Sequence, residues 1–435
     1  MITNKKIQML LLLLITTMSC LLAVSFVDNK VESHSFDSEV RLEEWNFNPS
    51  VENEEFYNNM DIELLTVSKG DPVYSWFGHS AIAVIPEGQE GYVFDYGIFS
   101  FSSKFYQNFA LGRLWYKVLA SYKDLEYYRF EEDKRTVYSI KLKLSPEKKK
   151  ACADFLLDNI KQENQDYLYH NFMDNCATRD RDIINFLTDG DFKKWALQQP
   201  GLTFRKQASK ILSVNPFIDW LFNFLLGPYV DKENTLWEDM YIPEVLHNAV
   251  LDYGKITEST FVPVDERMVD TRKPSYDNYS FFRELLIPIL FSLFFAFWIV
   301  FFKKKKSRTG LGLMVFFVYL IFALISVVLL FMMLFSNHDY SYFNENIIFI
   351  NPFLFIVAFR GISIVKNKMT LVKKLEINCK VLFFIILILI FLKVLFPLVF
   401  SQNNWVQIFT MLIIYFSTGF FPWKKEELPT FEEVN

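Results

Sequence analysis

"YSWFGHSAIAVIPEGQEGYVFDYGIF", residues 74–99, holds two apolar runs of strand length around a turn of Pro, Glu and Gly at 86–91, and it reads as a β-hairpin. His79 stands at the head of the first strand, directly after Gly78, in a chain of 435 residues with only 5 histidines. Upstream, "IELLTVSKG" (62–70) reads as a strand; downstream, "RTVYSIKLKL" (135–144) is another, and "SSKFYQNFALGRLWY" (102–116) reads as a short helix. Ser145-Pro146-Glu147 opens a helix, with Ser as cap and Pro at the first position, and sets Cys152, Phe155, Leu156 and Ile160 on one face. In "NFMDNCATRDRDIINFL" (171–187) a second helix begins at Asp174 or Asn175, placing Cys176, one of 4 cysteines, in its first turn. Strands followed by helices at these lengths predict an α+β domain over residues 61–254.

The rest of the chain has a different composition. Hydrophobic residues make up 51% and Phe alone 48 positions, beside 22% charge. Apolar runs lie at 7–27, 285–302, 311–335, 347–365, 381–400 and 405–423, each near the ~20 residues that cross hydrocarbon as a helix. Lys5 and Lys6, "KKKKSR" (303–308), Lys366 to Lys380, and Lys424 with Lys425 fall at alternate ends, whereas "SNHDYSYFNEN" and "SQNN" contain no Lys or Arg. Positively charged loops stay cytoplasmic, so six crossings of the cytoplasmic (inner) membrane would export residues 28–280 and keep both ends inside. The expected order is an N-terminal helix or signal sequence (1–27), an acidic, poorly patterned stretch (28–60), the exported domain (61–254), a linker (255–284), a five-helix all-α membrane bundle (285–423) and a cytoplasmic tail (424–435). Ala23-Val24-Ser25 offers a cleavage site, and Cys20 a weaker lipoprotein reading. Residues 208–229, broken by Pro216 and Gly227, read as a membrane-surface segment or as an ordinary buried helix. Within the bundle, Asn344, Asn351, Pro352 and Arg360 are expected to face a partner or a headgroup, and Lys393 to snorkel.

The net charge of −5 and the lack of a basic stripe argue against nucleic acid as a partner, and no nucleotide loop or zinc spacing calls for a cofactor. What remains is a thiol beside an imidazole. A thiolate is the attacking form, favoured by a helix N-terminus and a nearby imidazole. Cys176 has the first by sequence, and His79 is the candidate for the second. A third group would fix the imidazole tautomer; Asp95, on the partner strand of the hairpin, is the best candidate, though register is not legible. Asn175, Arg179 and Tyr96 are candidates for oxyanion or substrate support. Arg179 either holds a phosphate or pairs with Asp182 or Asp95, and pairing is favoured. The structural alternatives are a buried Cys176, a packing His79, and a disulfide between Cys152 and Cys176, disfavoured because Cys152 lies on an apolar helix face.

Read together, "LLTVSKGDPVYSWFGHSAIAV", "YVFDYGIFSF", "LSPEKKKACADFLLDN", "YHNFMDNCATRDRDII", "LLGPYVDKENTLWEDMYIPEVL" and "NENIIFINPFLF" resemble the Lnb family, lipoprotein N-acyltransferases of Bacteroidota with a periplasmic N-terminal domain. The domain also resembles a permuted NlpC-type papain-like fold, with histidine before cysteine, as in the lecithin:retinol acyltransferase class. The resemblance implies a membrane enzyme that moves a fatty acyl chain from a phospholipid donor, through a Cys176 thioester, to the α-amino group of a diacylated lipoprotein acceptor. His79 would be the base and Asp95 its orienting group. The rivals are a cell-wall amidase or peptidase, a phospholipase or thioesterase that lets water resolve the thioester, and a non-enzymatic membrane scaffold.

Overall fold

The computed structural model describes residues 54–99, 105–257, 262–267, 281–366 and 370–423. The apolar run 7–27 with Cys20, the acidic stretch to residue 53 and the tail from 424 lie outside the described residues. The described residues form two compact units: one holds the residues up to Gln207 and those from Glu233 to Ser275, the other joins Ala208–Lys232 to the chain from Tyr276 on.

The first unit is built on a seven-stranded antiparallel sheet. In chain order its strands are β1 (Asp61–Val67), β2 (His79–Ile85), β3 (Tyr92–Ile98), β4 (Trp115–Tyr122), β5 (Val137–Lys141), β6 (Asp166–Leu168) and, after a separate two-stranded ribbon of β7 (Pro200–Thr203) and β8 (Glu233–Thr235), β9 (Val262–Arg267). The spatial order is β6-β4-β3-β2-β1-β5-β9. The expected hairpin is β2 and β3, paired with Ile82 opposite Phe94 and Val84 opposite Tyr92.

Both faces of the sheet are covered, which is why "SAIAVI" is apolar throughout rather than alternating with polar residues. Ile62, Leu64, Ile82, Val84 and Phe94 face a large core completed by Cys152, Leu156, Ile183, Leu246 and Val250. The small side chains Ala81 and Ala83 face the other way, with Leu65 and Val67, onto Tyr127 and Phe130 of the helix Lys123–Glu132. Alanine at these two positions leaves room for that helix to lie close on the sheet.

Ser145 caps the helix Pro146–Asn159 as expected, its side chain accepting from Lys148 N. Phe155 departs from the expected face: it is exposed and stacks on Phe186 at 5.8 Å, while Cys152, Leu156 and Ile160 are buried. Of the expected helix over 102–116, the described residues from 105 on are helical at Phe105–Ala110, and "LWY" leads instead into β4. The Gly112 turn, at φ 64°, separates the two, because a helix cannot continue through the left-handed region. The boundary regions also differ. Glu54–Asn58 of the acidic stretch is helical, and Val262–Arg267 of the expected linker is the edge strand pairing with β5.

In the second unit, the helices Phe281–Lys304, Arg308–Phe335 and Thr370–Leu395 include three spans long and apolar enough to cross a membrane. The other two apolar helices, Leu354–Val365 and Trp405–Phe420, are shorter, so not every expected run is a full helical crossing. Asn351 and Pro352 explain the fourth: the chain runs through a 3-10 turn at Glu345–Ile348 and enters its helix only at Leu354. Residues 208–229, read as a surface segment or a buried helix, contain the helix Pro216–Leu225. It is built into this unit: Phe224 is fully buried in its core and Trp220 lies edge-on to Phe322. The carbonyls at its C-terminal end are taken by side chains, Phe224 O by Asn344 and Asn346 and Leu226 O by Gln402, each at 2.9 Å. Asn344 therefore meets backbone rather than a headgroup, and Arg360 donates to Lys374 O at 2.9 Å. Lys393, expected to snorkel, is buried and pairs with Glu345 at 2.5 Å while donating to Gln402 O at 2.7 Å. At another point in the unit Lys303, also buried, joins Glu376 and the carbonyls of Thr418 and Phe421.

Candidate active site

The hairpin sets the first half of the site. Gly78, at φ 81°, turns the chain in a conformation that L side chains rarely adopt, and β2 starts at the next residue. Extending the β2–β3 register three residues from the Ile82–Phe94 pair brings Gly97 opposite His79, so Asp95 is its diagonal neighbour on the same face. The contact is made: His79 Nε2 lies 2.8 Å from Asp95 Oδ1. The same carboxyl oxygen accepts from Gly97 N at 2.5 Å, across a register shift in the β3–β4 ladder between Asp95 and Ile98. The irregularity frees Gly97 N to hold the carboxylate. Gly97 must also lack a side chain, since a Cβ there would stand 2.5 Å from His79 Cε1 and 3.1 Å from Asp95 Oδ1.

The helix Cys176–Leu187 supplies the second half. It packs against β2 and β3, with Cys176 as its first residue. Asn175 caps it in a reciprocal box, its side chain accepting from Thr178 N while Thr178 Oγ1 accepts from Asn175 N. The Asn175 amide also donates to Asn171 O and Tyr241 O, so its polar atoms hold the helix start in place. The Cys176 thiol interacts with the His79 ring. With Nε2 turned to Asp95, Nδ1 is the ring nitrogen left for sulfur. Burial alone would lower the pKa of His79; the Asp95 carboxylate and the Cys176 sulfur outweigh it and hold the imidazole well above its ordinary range. For Asp95, burial opposes the neighbouring imidazole, and the net direction is downward. Cys152 and Cys176 are free thiols, and burial pushes Cys152 up to about 12, the state of an inert core cysteine.

The remaining sequence candidates lie close by in other roles. Arg179 pairs with neither Asp182 nor Asp95. It forms a two-pronged bond with Asp174, at 2.5 and 2.8 Å, and lies 4.3 Å over the Tyr167 ring. One turn of helix separates it from Asn175, so the residue before the cap is its nearest carboxylate. Tyr96 points into the core, where its hydroxyl donates to Asn159 Oδ1 at 3.3 Å.

Three features were not anticipated from the residues. Asp180, one turn beyond Cys176, is fully buried beside Ser80; burial pushes its carboxyl up to about 8, and neither oxygen has a well-aligned hydrogen bond. Arg135, at the entry to β5, is buried near Cys176 and Asp95. A series of rings leads outward from the thiol: Tyr116, whose hydroxyl is raised by burial and by the Cys176 sulfur, stacks on Phe99 at 5.0 Å, Phe99 on Phe105 at 5.9 Å, and Phe105 on Phe109 at 6.4 Å. Tyr74, Tyr106, Phe109 and Trp115 are more than half exposed around its outer end. The aromatic density of "YGIFSF" and "KFYQNFALGRLWY" was the signal available in the sequence. Among the described residues no group of acidic, histidine or cysteine side chains could hold a metal ion.

Residues 52–210, which carry His79, Asp95 and Cys176, match the family model described as the Lnb N-terminal periplasmic domain, which supports membership of the Lnb family. No curated protein and no solved structure matches the chain.

Proposed function

Taking residues 52–210 as a periplasmic domain of Lnb type, we propose that the protein is a lipoprotein N-acyltransferase of the cytoplasmic membrane that works through a thioester on Cys176. The observation that carries this reading is the His79 imidazole, held between the Asp95 carboxylate and a thiol at a helix start. That is the arrangement of a thiol acyl-transfer centre in a papain-like order. The membrane helices and the exposed aromatic rings near the thiol favour a lipid ester over a soluble peptide as the first substrate.

In the first step the Cys176 thiolate attacks the carbonyl carbon of a phospholipid acyl ester. Backbone N–H groups at the helix start face the developing oxyanion. The C–O bond breaks, and the His79 imidazolium gives its proton to the departing lysophospholipid oxygen. In the second step the α-amino group of a diacylglyceryl-cysteine attacks the thioester carbonyl. His79 takes the ammonium proton, the C–S bond breaks and the amide forms, restoring the thiolate and imidazolium. Asp95 keeps Nε2 oriented throughout.

The test uses full-length protein in detergent with a phospholipid. Intact mass should rise by one acyl chain in wild type and not in Cys176→Ala. Adding a diacylated lipopeptide should remove the adduct and yield the triacylated product. Loss of the adduct to water alone, with no amide formed, would sink the transferase reading in favour of a phospholipase.

A further inference from the structure

Arg135 is a buried charge near the site that the chemistry above does not use. The residue as a whole is 8% exposed. Nε donates to Ser68 O at 2.7 Å, and Cζ stands 5.6 Å over the Phe130 ring, the same ring that lies 6.3 Å from His79. Nη2 is buried and has no hydrogen-bond partner. Among the described residues no carboxylate lies within ion-pair distance of Arg135; Asp133 and Asp95 act on it only from farther away. A buried lysine in this position would shed its proton, but a guanidinium stays charged, so it carries an unneutralised positive charge with an unfilled donor. Unmet buried donors of this kind are rare in folded proteins and call for an explanation. Arg179 offers no such vacancy, since both prongs of its fork are on Asp174.

Position supplies the explanation. The Phe130 ring is shared by Arg135 and the catalytic imidazole, 5.6 Å from the guanidinium carbon and 6.3 Å from the His79 ring, so the unfilled donor stands one side chain away from the dyad. In a glycerophospholipid the phosphate is joined to the acyl ester through the glycerol carbons, so an ester carbonyl at Cys176 places a phosphate a short distance away. We propose that Arg135 is the phosphate-binding residue of the donor subsite, its Nη2 completing a charge-assisted hydrogen bond to a phosphodiester oxygen. The inference rests on the acyl-transfer reading above and adds to it a preference for donors that carry phosphate.

The experiment compares two donors with the same acyl chains, a phosphatidylethanolamine and the corresponding diacylglycerol, in mixed micelles with the full-length protein. The readout is the ratio of their rates of Cys176 adduct formation, which neither partial unfolding nor a general change at the dyad alters. Arg135→Gln should lower that ratio on the order of 10- to 100-fold, the worth of a hydrogen bond to a charged group. Arg135→Lys should lower it less, because the charge is kept and the fork is lost. A ratio that keeps its wild-type value in Arg135→Gln overturns the proposal, even when both rates fall together. Inorganic phosphate added as a competitor separates the sources: slowing of the phospholipid reaction in wild type, but not in Arg135→Gln, assigns the site to free phosphate, and an unchanged rate assigns it to the lipid headgroup. Absence of any adduct from either donor in wild type marks the failure of the acyl-transfer reading itself, and the donor subsite falls with it.

Discussion

Alanine at Gly97 would bring a methyl carbon to 2.5 Å from His79 Cε1, and the ring would have to swing away from Asp95 or from the thiol. A displacement of that size at a reacting group is expected to lower the acylation rate on the order of 10²-fold. Folding should survive, so a normal melting curve beside a slow adduct rate is the expected pair of measurements. Asp95→Asn removes the charge that raises the His79 pKa. The alkaline limb of the acylation profile, where His79 loses its proton, should move to lower pH, with a loss on the order of 10²–10⁴-fold at the optimum. An unmoved limb would mean that another group sets it. Asp180 makes a third prediction. Its carboxyl stays protonated in the fold up to about 8, whereas the unfolded chain gives up that proton near the ordinary value of 3.8. Stability is therefore full below the lower value and falls by about 1.4 kcal/mol for each pH unit between the two. Asp180→Asn has no such proton to lose and should gain on wild type as pH rises from 5 to 8, measured by thermal melts at both ends. At this scale His79 and Cys176 were legible because a strand head and a helix start are local signals. Asp95 needed a register, and Arg135 and Asp180 owe their character to burial by residues far away in sequence, which no local pattern encodes.

At the scale of elements, the hairpin, the Ser145 cap and the Cys176 helix were all legible, since turn chemistry and capping are short-range. The stretch 102–116 was not, because its aromatic residues suit a helix and a strand equally and only the Gly112 turn divides them. The fourth apolar helix is shorter than its apolar run for a related reason: Asn351 and Pro352 delay its start to Leu354. Nothing local to Lys393 signals its pairing, because its partner Glu345 lies far back in the chain. Lys393→Met alone is expected to destabilise the helical unit by about 3–5 kcal/mol, leaving Glu345 as a buried unpaired charge. The double variant Lys393→Met with Glu345→Met should recover much of that loss, as measured by thermal unfolding in detergent.

For the whole molecule, an exported α+β part followed by membrane helices was legible from composition alone, because apolar runs and basic flanks are properties of long stretches. The membership of individual segments was not. Val262–Arg267 returns to complete the sheet, and Ala208–Lys232 leaves the first unit for the second. A chain ending after Thr257 would keep the helix Pro216–Leu225 but lose Asn344, Asn346 and Gln402, which hold its last carbonyls, and the core around Phe224. It is expected to sediment as aggregate without detergent and to stay dispersed with it.

The interruption of the first unit by Ala208–Lys232 also sets an order of events during synthesis. A ribosome delivers this segment long before residues 340–404 exist, so its carbonyls and its aromatic face must wait through the production of more than one membrane helix. The segment finds its last partner only once Gln402 has been made, and a stall or premature stop before that residue leaves its carbonyls at Phe224 and Leu226 without all of the side chains that take them.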